Sequence, residues 1–240
     1  QTISPDVDDD YALWASWRSQ GLGASDLACA YTGEYGGAYS VVADKLGYNT
    51  DDGKNAKQKQ RGHEWEERIA DAVHALTGLY VHGEQLQIES GANPVHRFTS
   101  DGLLATTAEI LGIDYADYVL EIKTKIQWVT GKRDYFYAQV QWQLHVTGFR
   151  RALLVIVSFK IDDETGDEIV ENVEIKWIPR DEYMIEQLVE LADQLWAHVE
   201  AGTLPDPDKF TPVEIVREVN RHGRLLLDAD GNELIDPDVN

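Results

Sequence analysis

This 240-residue sequence predicts one mixed α/β domain. Three observations point there. Segments with apolar residues at helical spacing alternate with β-branched runs along most of the chain. One run, RALLVIVSFK at 151–160, is apolar almost throughout, as a strand covered on both faces should be. No internal repeat, low-complexity tract or linker divides the chain, which is long enough to bury a sizeable core.

The opening QTISPDVDDD is polar and reads as a frayed end, so the core is taken as 11–204 within a single domain of 1–240. From Tyr11 a helix carrying Trp14 and Trp17 runs to the glycines of QGLGAS. Ser25 is a suitable N-cap for the next helix, DLACAYTG, with Asp26 in its first turn facing the positive end of the dipole. YSVVADKLG forms a third short helix, stopped at Gly47. DDGKNAKQKQRG reads as a polar connection with the densest basic cluster. HEWEERIADAVHALTG is the clearest helix: Trp65, Ile69, Val73 and Leu76 follow helical spacing and Gly78 ends it.

LYVHGEQLQIES, HRFTSDGLL and YVLEIKTK carry β-type residues, and YFYAQVQWQLHVTG returns to a helix. After the apolar strand, VENVEIKWI alternates like a hairpin partner across the acidic turn DDETGDE. DEYMIEQLVELADQLWAHVEAG is a last amphipathic helix ending at a glycine. In the Pro- and Asp-containing tail, 205–240, LLLDADGNELI suits a hairpin better than a calcium loop, because its glycine comes too early for an EF-hand.

Composition narrows the function. There is one cysteine, Cys29, which excludes an internal disulfide and a cysteine-ligated zinc or iron–sulfur site within one chain. No apolar run approaches the roughly 18 residues of a membrane span, and no signal segment is visible, so a soluble cytoplasmic protein without membrane contact is expected. The formal net charge of −22, from 21 Lys plus Arg against 43 Asp plus Glu, argues against nucleic acid if charge is taken alone. A local groove is nonetheless free to differ from the average.

VLEIKTK at 119–125 raises the chemical question. Strand side chains alternate, so Glu121 and Lys123 share one face and Ile122 takes the other. An exposed ion pair of that kind would contribute little. If TSDGLL pairs with this strand, Asp101 and Glu121 meet at one end and can hold Mg²⁺, a hard ion that prefers oxygen, with the Ile122 backbone carbonyl as a further ligand. Lys123 would then orient or deprotonate the attacking water, or offset charge on a phosphate, and Glu66 would extend the acidic site from its helix. Asp–Gly turns and Glu-x-Lys strands are each common by chance; their order along the chain is the informative feature.

In that order the sequence resembles the lambda exonuclease/YqaJ-like phage recombination nucleases of the PD-(D/E)XK superfamily. WASWRSQGLGAS, RGHEWEERIA, TSDGLL, LEIKTK, YAQVQWQLHVTG and LADQLWAHVEAGTLP match its segments in register over most of the chain. The resemblance implies a restriction-endonuclease-like core, a central mixed sheet flanked by helices. Asp101 and Glu121 are implied as metal carboxylates, Lys123 as catalytic lysine, Glu66 as a supporting helix glutamate and Gln139 as the glutamine closing the site. Arg18 and Ser25, seven apart, would bind the 5′-phosphate of the strand being degraded.

Three departures stand out. Ser100 replaces the proline before the aspartate, and Phe136 replaces a tyrosine three before the glutamine. ATTAEILGIDYADYV also lengthens the connection from Asp101 to Glu121. The implied activity is Mg²⁺-dependent 5′→3′ digestion of double-stranded DNA ends (Mn²⁺ as substitute), leaving 3′ single strands for recombination. The implied assembly is a ring-shaped homotrimer, with Lys54, Lys57, Lys59, Arg61, Lys132 and Arg133 facing the DNA and a single-strand annealing protein as partner. A structure- or sequence-specific endonuclease on the same core, and a non-catalytic DNA-end-binding or assembly protein, remain the alternatives.

Overall fold

The computed structural model describes residues 7–48, 56–108, 116–126, 133–162 and 168–206; at 7–11, 56–64, 66, 67, 125, 126 and 133 it describes the backbone alone. Helices α1 (Val7–Ser19), α2 (Ala24–Thr32), α3 (Gly37–Lys45) and α4 (Ala56–Thr77) precede strands β1 (Tyr80–His82), β2 (Gln87–Glu89), β3 (Arg97–Thr99), β4 (Gly102–Ala105) and β5 (Tyr118–Ile126). Helix α5 (Arg133–Thr147), strands β6 (Arg151–Ile161) and β7 (Glu168–Pro179), and helix α6 (Glu182–Ala201) follow. The main sheet has the order β1-β4-β5-β6-β7, and β2 and β3 form a small second sheet. β5 and β6 are parallel, with α5 lying between them in the chain, and the other pairs are antiparallel.

The apolar run behaves as its composition requires. β6 is flanked by β5 and β7 and buried from Ala152 to Phe159. Ala152, Leu154 and Ile156 join the core built with α2, α5 and α6, while Leu153, Val155, Val157 and Phe159 join Ile69 and Val73 of α4 on the opposite face. β5 divides the same way, Val119 to the first core, Leu120 and Ile122 to the second. Asp181 caps α6 by accepting from the Met184 N–H at 3.1 Å, and Gly202 closes it in the left-handed region. Among the described residues no helix is long and apolar enough to cross a membrane.

Several local expectations change. α1 begins at Val7 rather than Tyr11, and α4 begins at Ala56, taking in the second half of the expected polar connection. Ser25 is not a cap: Gly23 holds that position, and Asp26 reaches back to accept its N–H at 2.9 Å, supplying the function a capping hydroxyl would have. LYVHGEQLQIES is cut by a turn in which Gln85 takes φ 56°, so β1 and β2 fall in different sheets. HRFTSDGLL is likewise cut at Ser100–Asp101. Gly102 is therefore no turn residue but the first residue of β4, where a Cβ would lie 2.8 Å from Val81 Cγ1 and 3.2 Å from Leu120 Cδ2. Leu76 is 68% exposed, because α4 packs on β1 and β5 and leaves an apolar groove open toward Val170, Val173 and Ile175 of β7. The core of 109–115 in the expected insertion, and the tail from 207, lie outside the described residues.

Candidate active site

The β4–β5 ladder ends at the pair Gly102↔Leu120. One residue beyond, Asp101 replaces the missing strand partner with its side chain: Oδ2 accepts the Ile122 N–H at 2.8 Å. A strand residue sends its N–H and C=O to the same side, so the Ile122 carbonyl also leaves toward Asp101 and away from β6. Glu121, on the opposite face from the Ile122 side chain, is 1% exposed and meets α5. Its Oε1 accepts from Gln139 Nε2 at 2.7 Å and contacts Lys123 Nζ, while Oε2 accepts from Gln143 Nε2.

A carboxylate only accepts hydrogen bonds, so both glutamines must turn their NH₂ groups to Glu121. Their Oε1 atoms are consequently buried with no protein partner among the described residues. Lys123 Nζ also lies 5.9 Å from the centroid of Phe136, which forms an apolar wall where a tyrosine was the reference. Burial alone would depress the Lys123 pKa; the Glu121 and Asp101 carboxylates overcome it and hold the amine above its ordinary value. Lys123 is therefore a stable cation at neutral pH. Two carboxyl groups thus stand against one amine at this point.

Ser100 achieves by hydrogen bonding what a proline would achieve by ring closure. It is fully buried; its hydroxyl donates to the Gly83 carbonyl, its N–H to Leu86 O at 2.9 Å, and its carbonyl accepts from Gln85 N–H at 2.8 Å. The chain entering Asp101 is thereby fixed.

Beside this centre lies a cavity of about 110 Å³ lined by Trp14, Trp17, Arg18, Ser25, Arg97 and Gln139, among others. It is smaller than the roughly 300 Å³ at which drug-sized pockets begin, so only a small group fits it. Arg18 Nη2 donates to Ser25 Oγ at 3.1 Å and to Asp26 Oδ1 at 3.0 Å, and its guanidinium stacks 5.3 Å from the Trp14 ring centroid. Lys45 Nζ reaches Asp26 Oδ2 at 2.7 Å and donates to the Arg18 carbonyl at 2.9 Å. Burial would raise the Asp26 pKa, but Lys45 and Arg18 draw it down to about 2. Within this hydrogen-bonded knot two cations face one carboxylate; Asp44, exposed, lies within electrostatic range. Ala24 and Ser25, the first residues of α2, have N–H groups that helix geometry leaves without intrahelical acceptors.

The cavity wall is stitched together by Trp14 Nε1 donating to Thr99 Oγ1 at 3.0 Å and Trp17 Nε1 donating to Glu89 Oε1 at 2.6 Å. Arg97 donates to the Pro94 and Trp17 carbonyls. Trp142 Nε1 donates to both Leu22 O and Arg97 O at 3.2 Å, tying β3 to α5. His96 and His145 add a ring–ring hydrogen bond at 2.9 Å. Asn93 Oδ1 accepts from Val95 N–H, so its amide donates to His96 Nε2, which leaves His96 Nδ1–H as the donor to His145. Burial lowers both histidine pKa values, that of His145 to about 4 with a further push from His96.

The structure thus brings Asp101, Glu121, Ile122, Lys123 and Gln139 to one centre, and Arg18 and Ser25 to the adjoining cavity. Glu66 belongs to α4, but its side chain lies outside the described residues, as do those of Lys54, Lys57, Lys59, Arg61, Lys132 and Arg133. Sequence reasoning missed Gln143, whose spacing of four from Gln139 was the available signal, and Asp26 with Lys45, which gave none beyond an acidic first turn. The Tyr135 hydroxyl, next to Phe136, donates to the Ser25 carbonyl at 3.4 Å.

The family model of the YqaJ-like viral recombinase domain matches residues 13–150, a span that includes both the cavity and the carboxylate centre. The chain belongs to that family. No curated protein matches it. This YqaJ-like chain is similar to the crystal structure of an alkaline exonuclease (LHK-Exo) from Laribacter hongkongensis, at 18% identity and TM-score 0.56, over 88% of this chain and 99% of that one. The structure of LHK-Exo in complex with dAMP gives 19% identity and TM-score 0.55 over 89% and 99%. A phage related exonuclease from Haemophilus somnus 129PT gives 16% and 0.52 over 82% and 96%. The shared architecture is a mixed sheet flanked by helices.

Proposed function

We propose that this YqaJ-like chain is a Mg²⁺-dependent 5′→3′ exonuclease that degrades one strand of double-stranded DNA from its ends, leaving 3′ single-stranded DNA for homologous recombination. One observation carries the reading. Gln139 both binds Glu121 and lines the cavity of Arg18 and Ser25, so it borders a cation-seeking centre and an anion-seeking pocket at once. A strand end has a terminal phosphate and a scissile phosphodiester, which need those two environments side by side.

The residues fit a hard divalent cation. Among the described residues no set of three or more His, Cys, Asp and Glu side chains is arranged to hold a metal. Mg²⁺ is commonly held by one or two carboxylates plus substrate phosphate, and two carboxylates with open amide oxygens nearby suit it. Asp101, Glu121 and the Ile122 carbonyl would hold Mg²⁺, or Mn²⁺ in its place. When bound, the ion polarises a phosphoryl oxygen and makes water a stronger acid. Lys123, beside Glu121, would orient or help deprotonate the attacking water, or offset charge at the phosphoryl group. Gln139 and Gln143 fix the plane of Glu121, and Gln139 Oε1 can accept a proton-bearing water. Arg18, the Ser25 hydroxyl and the α2 amides bind the 5′-phosphate. Glu66 is assigned a supporting role at the acidic centre.

A homotrimeric ring would turn the basic residues of 54–61 and 132–133 inward and the acidic remainder outward, reconciling the net charge with DNA. A single-strand annealing protein and a cytoplasmic location, in a host cell if the chain is phage-encoded, complete the proposal.

Linear duplex bearing 5′-phosphate or 5′-hydroxyl, and closed circular DNA, should be compared with and without Mg²⁺. The 5′-phosphorylated linear duplex should be degraded fastest, with Mg²⁺ present. Cutting of closed circles with indifference to 5′-phosphate would establish the endonuclease instead. Absence of digestion with both Mg²⁺ and Mn²⁺ would leave a DNA-end-binding protein. Mass measurement in solution tests the trimer separately.

A further inference from the structure

The link between α2 and α3 reads GEYGG, and its backbone is left-handed at Gly33 (φ 72°), Tyr35 (φ 51°, ψ 30°), Gly36 (φ 90°) and Gly37 (φ 58°). Glycine takes this region freely, whereas a β-carbon makes it unfavourable, and such outliers gather at functional sites. Tyr35 is the one side chain carried through the turn in that conformation. The turn is anchored from below: the buried Cys29 thiol lies 2.9 Å from Glu34 O and 3.7 Å from Gly37 O, and the Glu34 N–H donates to Thr32 Oγ1 at 3.4 Å.

Burial does not explain the tyrosine, for Tyr35 is 65% exposed. Its ring meets Tyr135 in a T-shaped contact, centroids 5.5 Å apart, and Tyr135 in turn stands edge-on to Phe136 at 6.0 Å, the ring beneath Lys123. Tyr135 also bonds the Ser25 carbonyl. An aromatic chain therefore runs from the reaction centre, past the phosphate cavity, to a ring largely open to solvent.

We propose that Tyr35 is a stacking platform for the nucleobase at the strand end being processed. The proposal rests on the nuclease reading above and names the part of the substrate that the carboxylates and the cavity leave unheld. Every base offers a π-face, so one aromatic ring can steady a terminal nucleotide of any sequence, as a processing nuclease requires. A ring already resting against Tyr135 loses less freedom on binding than an isolated one.

The test uses the full chain and linear 5′-phosphorylated duplex with 2-aminopurine next to the 5′ end. Binding is read by fluorescence without divalent metal, and digestion separately with Mg²⁺. Wild type and Tyr35→Phe should quench 2-aminopurine alike. Tyr35→Gly should fail to quench and show KM raised about tenfold, the scale of one base–aromatic stack, with kcat changed far less. Because glycine is at ease at this φ, Tyr35→Gly should melt at the wild-type temperature or above. Wild-type quenching in Tyr35→Gly would overturn the proposal, as would Tyr35→Phe behaving like Tyr35→Gly, or a clear drop in the Tm of Tyr35→Gly. If wild type quenches but digests nothing with Mg²⁺ or Mn²⁺, stacking stands and the nuclease reading falls.

Discussion

Asp26 and Glu121 are both carboxylates withdrawn from water, and each faces a lysine. Their surroundings diverge from there. Asp26 accepts from Gly23 N–H and pairs with both Lys45 and Arg18, so its oxygens are filled, and the Arg18 guanidinium stands at the edge of a cavity. Glu121 shares Lys123 with Asp101, and the two glutamines that hold it leave buried amide oxygens open. The first arrangement is a hydrogen-bonded knot beside a small cavity, and the second is a carboxylate held by two amides whose oxygens stay open. Gln141, between the two glutamines on α5, shows what a structural role looks like: Nε2 donates to Pro179 O and Oε1 accepts from Asp181 N–H, each at 2.8 Å. Gln141 is thus filled at both ends of its amide, whereas Gln139 and Gln143 each leave an oxygen open beside Glu121.

The contrast can be broken from either side. Glu121→Ala should cost the largest effect, a loss of digestion of about a thousandfold or more, since several kcal/mol of metal-assisted stabilisation go with it; quantitative digestion of end-labelled duplex measures this, and near wild-type rates would remove Glu121 from the centre. Asp26→Asn should act chiefly on folding. It leaves Lys45, whose side chain is only 4% exposed, beside Arg18 without the compensating charge, at a cost of about 3–5 kcal/mol in urea denaturation.

The histidine pair gives an intermediate effect through pH. The folded pKa of His145 is about 4 and that of His96 is also lowered, so the unfolded chain binds the extra protons. Their contribution is fully present above about pH 6.5 and declines as pH falls toward about 4, on the order of 2 kcal/mol in total. A denaturation series across that window should show the decline, and His145→Gln should flatten it. The smallest effect should come from Ser25→Ala. It removes one acceptor of Arg18 and one hydroxyl of the proposed anion site, weakening the preference for 5′-phosphate about tenfold while unfolding shifts by less than about 1 kcal/mol.

Much of the fold was legible because burial is periodic. The α4 stripe, the doubly covered β6 and the hairpin into β7 all follow from side-chain spacing. The breaks at Gly83–Leu86 and Ser100–Asp101 were not legible, because strand-like residues continue across both and the separation is imposed by two sheets competing for neighbouring segments. At the site, Asp101, Glu121 and Lys123 were found through strand alternation and order along the chain. Gln143 was passed over because a glutamine in a helix ordinarily faces water; only Glu121, 1% exposed, turns it inward. Ser25 was assigned a backbone task that Asp26 performs from one residue away, since either residue type can cap a helix and only geometry selects.

Asp101 holds a backbone amide with the same carboxylate that is proposed to bind the metal. This complicates any attempt to make an inert version of the protein. Truncating Asp101 to a methyl group would remove the proposed ligand and the side-chain bond to the Ile122 amide in one stroke, so lost turnover could not be assigned to either cause. Asparagine, which retains an oxygen able to receive the Ile122 amide, is the cleaner dead variant for trapping DNA on an otherwise intact scaffold.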